Sequence, residues 1–522
     1  MLERLLRGVL FALLAAAASR APAQAPPEAA ASSAALAAAL PPELAQVLRR
    51  ERIPLDGVSV LVQEVGGGAT RLAWNVRKPV NPASLMKLLT TYAALDVLGP
   101  GYVWKTPVWL AARPPATGAA ASVAGVLDGN LHLQGRGDPK LTLERLWLLV
   151  QRLRQMGITE IRGDIVIDQS AFAVEAVSTA DFDGEPLRPY NVRAQALLLN
   201  LGAVLYTFTP DPVAGVARVS AEPALSGLTV DASVPLSSGP CNDWRAALRA
   251  TPGDIERMQF SGSYPLSCGE RVWPLAYADS KLYAARLLAT LWREAGGRLT
   301  GSVREGPAPT DLKPNFEISS PALAEVVRDI NKYSNNVMAQ QLLLTLALPR
   351  SGSSAGTAQA TTEGAREALR KWLALRLGEQ RGLPDARELL QGVVLDNGSG
   401  LSRETRLSAA LLARLLQSAW ASPVMPELIA SLPVAGIDGT LRNAQAATGM
   451  AHLKTGSLRD VAGVAGYVLG SSGKRYVLVA IVNHPNANAA RPALDVLLQW
   501  TVDDLDRDRT TRPVAPPRRQ AR

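Results

Sequence analysis

The amino-acid sequence predicts a mixed α/β chain: a helix-rich α+β body interrupted by a large, mostly β insert. Three observations carry this. Two alternating, β-branched segments at 58–65 and 70–76 lead into a long apolar helix pattern at 81–98. Residues 103–274 change character, to short alternating segments between turn residues, with one helical stretch around Leu143–Met156. From 275 to 505 helical periodicity prevails, closing in a three-strand meander and a last helix.

Taken in order, the first element is a targeting segment. Arg4 and Arg7 precede an apolar run, Gly8–Ala18, too short to cross a bilayer, and Ala21-Pro22-Ala23 is a small-x-small cleavage pattern. Residues 1–23 are expected to be a signal peptide, and the protein to be exported and periplasmic. Residues 24–40, rich in Ala, Pro and Ser, read as a linker. Pro42–Arg50 is patterned as a short helix. Val58–Val65 and Thr70–Val76 are strands joined through Gly66-Gly67-Gly68, and the helix Asn81–Leu98 is stopped by Gly99 and Pro100. Within the insert, Gly125–Leu133 and Gly163–Ile167 alternate as short strands. Helices are expected at Tyr277–Ala295, Pro321–Asn331, Asn335–Leu348, Thr362–Leu377 and Ser408–Trp420, with a Ser/Gly/Ala loop at Ser351–Ala360. The meander is Ala451–Leu458, Val461–Leu469 and Tyr476–Val482, and the last helix Arg491–Asp504. The body is thus split into 41–102 and 275–505 around an insert at 103–274. Residues 506–522 form a Pro/Arg-rich tail expected to be disordered.

Of the 522 residues 47% are apolar and 19% charged, ordinary for a globular protein. The net charge is +9, but the signal segment carries +2 and the tail after Leu505 carries +4, leaving +3 for everything between. That part mixes both signs and has no basic run interleaved with aromatics, which excludes nucleic-acid binding. No later stretch is patterned as a membrane span. The two cysteines, Cys241 and Cys268, lack a CxxC pair or a neighbouring His, which argues against a metal or catalytic thiol. Export favours a disulfide between them, which in the chain-entropy picture contributes about 3.5 kcal/mol. Asp503, Asp504, Asp506 and Asp508 lack the spacing and glycine of a calcium loop. No metal or other cofactor is expected.

Three short motifs carry chemistry. In Ser84-Leu85-Met86-Lys87 a spacing of three puts Ser and Lys on one helix face, at a helix start where free N–H groups favour a developing oxyanion. Only ten of the 55 basic residues are Lys. Arg cannot deprotonate, so a Lys in an apolar helix of so Arg-rich a chain points to a need for an amine base. Taken alone, S-x-x-K also fits a capping Ser with a surface Lys. Ser334-Asn335-Asn336 lies between two helices, where the hydroxyl can relay a proton and the Asn336 amide can hold a substrate carbonyl; alone, it also fits a helix cap. Lys454-Thr455-Gly456-Ser457 lies on a strand. Gly456 lets a substrate backbone lie against it, Lys454 and Thr455 can bind a carboxylate, and the Ser457 N–H can be an oxyanion donor.

In this order the three motifs are the set of penicillin-binding proteins and serine β-lactamases. The chain resembles more closely the class C low-molecular-mass penicillin-binding proteins, the D-alanyl-D-alanine carboxypeptidase/endopeptidase family. The resemblance also rests on Arg136-Gly137-Asp138-Pro139, Gly163–Asp168, Tyr333–Asn336, Asp396–Arg403 and Gly436–Leu441, and on the long insert after Lys87. It implies a penicillin-binding domain with an antiparallel sheet between helix layers, assembled from both chain ends, and an insert of two smaller β-rich domains. It implies Ser84 as nucleophile, Lys87 as base, and Ser334 with Lys454 as the path of a proton to the leaving amine. Asn336, Thr455 and Gly456 bind substrate, and the Ser84 and Ser457 N–H groups form the oxyanion hole. The implied substrates are peptidoglycan peptides, with β-lactams as covalent inhibitors. The chain departs from the family's usual pattern at Arg136, and at Asn191-Val192-Arg193-Ala194-Gln195, a segment near the substrate in relatives.

Other patterns compete poorly. Gly352-Ser353-Ser354-Ala355-Gly356 matches a nucleophile elbow, but follows a helix instead of a strand. His452 and His484 fall on a strand and a turn, and Arg136-Gly137-Asp138 reads as a tight turn. Two further readings remain. A β-lactamase needs a water-activating carboxylate, for which the sequence offers no clear Glu-x-x-x-Asn loop. A catalytically inactive scaffold would not require Ser84, Lys87 and Lys454.

Overall fold

The computed structural model describes residues 39–112, 125–175, 177–254, 256–277, 279–348, 359–378 and 386–505. The signal segment, nearly all of the linker, the Gly352–Gly356 pattern and the tail lie outside the described residues. The chain begins with helix α1 (Pro42–Arg50) and the hairpin β1 (Val58–Glu64) and β2 (Thr70–Trp74). The segment expected as one helix from Asn81 starts as a tight turn, Ala83–Leu85, before helix α2 (Met86–Leu98). Every residue of α2 from Met86 to Leu95 is buried, so this helix is surrounded by protein.

The insert follows. Strands β3 (Lys105–Ala112) and β4 (Gly129–Gln134), helix α3 (Leu143–Gln155) and β5 (Ile165–Asp168) come first. Then come β6 (Ala203–Asp211), β7 (Val216–Glu222), β8 (Ser233–Ser237), β9 (Tyr264–Pro265) and β10 (Arg271–Ala276). These last five form one sheet, in the order β9-β8-β7-β6-β10. Cys241 and Cys268 are joined in a disulfide beside it, with Cα atoms 4.8 Å apart.

The return to the body comes later than the sequence predicts. Helix α4 (Ser280–Glu294), β11 (Val303–Glu305) and β12 (Phe316–Ser319) still belong with the insert. Strand β11 pairs in parallel with β5, and β12 antiparallel with β3, completing the sheet β11-β5-β4-β3-β12. Tyr283, Leu287 and Trp292 of α4 share a core with residues of both insert sheets. Periodicity reveals that a helix is amphipathic but not which sheet its apolar face meets, so α4 reads like the helices after it.

The body resumes with α5 (Leu323–Lys332), α6 (Asn336–Thr345), α7 (Thr362–Gly378), α8 (Ala409–Trp420) and α9 (Met425–Ser431). It ends with β13 (Ala451–Leu458), β14 (Val461–Leu469), β15 (Arg475–Asn483) and α10 (Arg491–Val502). Strand β15 pairs with β1, so both chain ends build one antiparallel sheet, β2-β1-β15-β14-β13. The sheet lies between two helix layers, and β15 shows it directly. Tyr476, Leu478, Ala480 and Val482 pack with α1 and α10 on one face, while Val477, Val479 and Ile481 pack with α2 and α5–α8 on the other. Each buried Val, Leu or Ile among them, removed from water, contributes roughly 1.5–3 kcal/mol.

Candidate active site

The site forms where α2, the turn before α6 and edge strand β13 converge. Ser84 sits in the tight turn ahead of α2. The preceding Ala83 is in the left-handed region (φ 46°), and its N–H donates to Asn81 Oδ1 at 2.9 Å. Two glycines let backbone close on this turn from either side. A Cβ on Gly400 would stand 1.8 Å from the Ala83 carbonyl oxygen, and one on Gly456 would stand 2.7 Å from that of Pro82. The strand with Gly456 and the loop with Gly400 can reach the serine only because neither has a side chain there.

Lys87, the second residue of α2 and one turn after Ser84, is fully buried. Its Nζ lies 2.9 Å from Ser84 Oγ and donates to Asn336 Oδ1 at 2.6 Å and to the Ser399 carbonyl oxygen at 2.6 Å. A hydroxyl, an amide oxygen and a carbonyl do not neutralise an ammonium. Burial therefore holds the amine well below the usual lysine range, and the charge of nearby Lys454 lowers it further. Ser84 keeps partial solvent exposure while its amine partner does not. Asn336, the first residue of α6, also contacts the 189–195 segment, with Nδ2 3.4 Å from the Tyr190 carbonyl oxygen.

The second half of the site is built on Lys454, also fully buried and lowered by burial to about 7. Its Nζ donates to Ser334 Oγ at 2.9 Å and to the Thr455 carbonyl oxygen at 2.8 Å. Ser334 itself is in the left-handed region (φ 56°), in the two-residue link between α5 and the Asn335 cap of α6. The Asn335 side chain accepts from Met338 N at 3.0 Å, so the middle residue of the motif caps the helix and turns away from chemistry.

Strand β13 is the outer strand of its sheet. The Leu453 N–H points outward, donating to the Pro433 carbonyl oxygen at 2.9 Å. By strand alternation the N–H groups of Thr455 and Ser457 point the same way, toward the Ser84 turn. Thus Ser84, Lys87 and Asn336 form one hydrogen-bonded group, and Ser334, Lys454 and Thr455 a second. Gly456 lies against the Ser84 turn. Sequence reasoning assigned no role to three participants: the Ser399 carbonyl, the Tyr190 carbonyl and Thr440, whose Oγ1 is 2.8 Å from Thr455 Oγ1. Ser399 and Thr440 fall inside runs on which the resemblance rests, so a signal was present without a role.

The competing patterns are accounted for elsewhere. His484 Nδ1 accepts from Asn486 N at 3.1 Å in a turn, and the Asp504 carboxylate binds Tyr476 and Ser472. Asp138 caps its turn through Lys140 N at 2.8 Å. Among the described residues no group of three or more His, Cys, Asp or Glu can hold a metal ion, and no helix is long and apolar enough to cross a membrane.

Fold and site together define a serine-type hydrolase with a penicillin-binding architecture. The family model of the D-Ala-D-Ala carboxypeptidase 3 (S13) family matches residues 40–501, and the chain belongs to that family as a serine-type D-Ala-D-Ala carboxypeptidase. It is 29% identical over 432 residues to a D-alanyl-D-alanine carboxypeptidase of Actinomadura sp. (strain R39), spanning 78% of this chain and 74% of that one. It is 23% identical over 364 residues to the D-alanyl-D-alanine carboxypeptidase DacB of Haemophilus influenzae, spanning 69% of this chain and 73% of that one. The fold is shared with the crystal structure of penicillin binding protein 4 from Haemophilus influenzae, with a TM-score of 0.67 and 20% identity over 87% of this chain and 99% of that one.

Proposed function

We propose that the enzyme cleaves the D-Ala-D-Ala end of peptidoglycan stem peptides, and D-Ala cross-links between stems, through an acyl-enzyme on Ser84. Lys87, in its unprotonated form, takes the Ser84 proton as Oγ attacks the carbonyl of the penultimate D-Ala. The N–H groups of Ser84 and Ser457 hold the oxyanion. As the C–N bond breaks, Ser334 gives its proton to the leaving nitrogen and Lys454 replaces it. The Asn336 amide and the open edge at Thr455 and Gly456 hold the peptide backbone, and water then hydrolyses the ester. β-Lactams acylate the same serine and leave slowly. The observation that carries this reading is the 2.9 Å contact between Ser84 Oγ and a fully buried amine whose pKa that burial lowers.

Export supports the same reading. We infer that residues 1–23 are removed on passage to the periplasm, where the substrate lies and where the Cys241–Cys268 disulfide is chemically favoured. We read the sheet built from both chain ends as the catalytic domain and the insert, extended to about residue 320, as two β-rich units that wall the substrate side.

The test is labelling with a fluorescent penicillin beside mass spectrometry of products from purified muropeptides. A stable label on the wild type, none on Ser84→Ala, and release of D-Ala or of cleaved cross-links are expected. An unlabelled wild type, or rapid multiple turnover of nitrocefin, would overturn the proposal in favour of a scaffold or a β-lactamase.

A further inference from the structure

One hydroxyl at the end of the cleft has no part in the mechanism above. Thr440 lies in the loop between α9 and β13, exposed, with its Oγ1 2.8 Å from Thr455 Oγ1. The loop is fixed from behind. Asp438 Oδ1 accepts from Val434 N at 2.8 Å, and Oδ2 from Lys332 Nζ at 2.6 Å, two residues before Ser334. The loop therefore ties the Ser334 turn to the Thr455 strand.

It also ends the open edge of β13. Residues 433–435 pair antiparallel along that edge: Leu453 N donates to the Pro433 carbonyl oxygen, and Ala435 N to that of Ala451, both at 2.9 Å. Beyond Leu453 the outward groups of Thr455 and Ser457 are left for another strand. A peptide added antiparallel there runs from Ser457 toward Thr455 and meets the loop with its C-terminus. With its scissile carbonyl at the Ser457 N–H, its last residue lies at Thr455 and its carboxylate faces the paired hydroxyls. Two hydroxyls in contact use only one of their two protons on each other, so one O–H remains to donate outward. The Lys454 ammonium, bonded to the Thr455 carbonyl, supplies the matching charge.

We propose that Thr440 binds the terminal carboxylate of the scissile peptide, as the second hydroxyl of a clamp with Thr455. This rests on the catalytic reading given above. It makes Thr440 a specificity residue for leaving groups that carry a free carboxylate.

The test compares two acylated tripeptides, one ending in D-Ala-D-Ala and one in its C-terminal amide, on wild type, Thr440→Val and Thr440→Ser. In Thr440→Val the acid-over-amide preference in kcat/KM falls roughly tenfold to a hundredfold, chiefly through KM, the size expected for a hydrogen bond to a charged group. Thr440→Ser restores most of it. Equal loss on both peptides, or no loss on the acid, overturns the proposal. In a Thr455→Val background, Thr440→Val still lowers the preference at least threefold; no further loss would reduce Thr440 to a support for Thr455. Should Thr440→Val not fold, the unchanged or lowered preference of Thr440→Ser and Thr440→Ala decides in the same way. Failure of the underlying catalytic reading looks different, because the wild type then takes no penicillin label.

Discussion

The seam around Ser84 and the centre of the second insert sheet are both buried, and they are buried in opposite ways. In the insert, Phe208 stacks on Tyr264 at 5.5 Å between ring centres and meets Phe260 edge-on at 5.2 Å, with Trp244 and Trp273 around them. Those contacts gain from losing water, and the nearby disulfide restrains the unfolded chain. At the seam the fully buried side chains include two lysines, Lys87 and Lys454, which lose hydration and find only neutral partners. Burial there lowers stability and lowers the pKa of both amines, which favours their unprotonated form. The difference teaches that reactivity is created by unfavourable burial, which the surrounding sheet and helix layers have to sustain.

The sharpest way to break this comparison is Lys87→Arg. If Lys87 serves only as a buried cation filling space, Arg keeps the charge and part of the activity. If it serves as a base, Arg cannot give up its proton. A fall of roughly a thousandfold or more in the acylation rate is expected, near the upper range for losing a general base. Penicillin acylation followed in stopped flow, with a thermal melt as folding control, reads this directly. Retention of even a tenth of the rate would remove Lys87 from the mechanism.

The insert should respond the other way. Phe208→Ala removes a side chain of zero exposure at the centre of four ring contacts. A loss of about 3–5 kcal/mol in urea unfolding is expected. The fraction that stays folded should still be acylated by penicillin at a rate within about twofold of the wild type, because distant sites without shared partners act independently. A large fall in acylation rate with little change in stability would mean that the insert sheet sets the geometry of the seam.

How much of this was legible beforehand follows from the same contrast. The meander was readable because β14 and β15 carry unbroken apolar runs, Val461–Leu469 and Tyr476–Val482, of strand length and rich in Val on either side of a Ser-Ser-Gly turn. Ser84, Lys87, Ser334, Asn336 and Lys454 were readable because their chemistry restricts residue type. What escaped reading is what residue type does not encode. The Ser399 carbonyl accepts from Lys87 as backbone, so any residue there would serve. Thr440 meets Thr455 across 15 positions and a loop fixed by Asp438. The end of the insert was missed because β11 and β12 are only three and four residues long, and their partners lie far back in the chain.

The smallest effect expected is in the pH dependence, and it separates the two lysines. If Lys87 acts without its proton, kcat/KM loses activity on the acid side, below the depressed range that burial gives this amine. If Lys454 acts as the ammonium that faces the carboxylate, its pKa, lowered by burial to about 7, sets the charge of the free enzyme. The pair therefore gives kcat/KM a base limb near pH 7 for the acid-ended peptide, falling at most tenfold per unit above it. A bound carboxylate favours the charged amine, so the base limb of kcat moves to higher pH; the amide-ended peptide lacks that charge and leaves it in place. Stability runs the opposite way. Both amines have folded values below the unfolded lysine, so between about pH 7 and 10 the unfolded chain binds more protons, and the protein gains stability as pH rises. Activity lost above neutrality while the melting temperature climbs would assign both trends to these buried amines, and a base limb of kcat identical for acid and amide peptides would remove Lys454 from carboxylate binding.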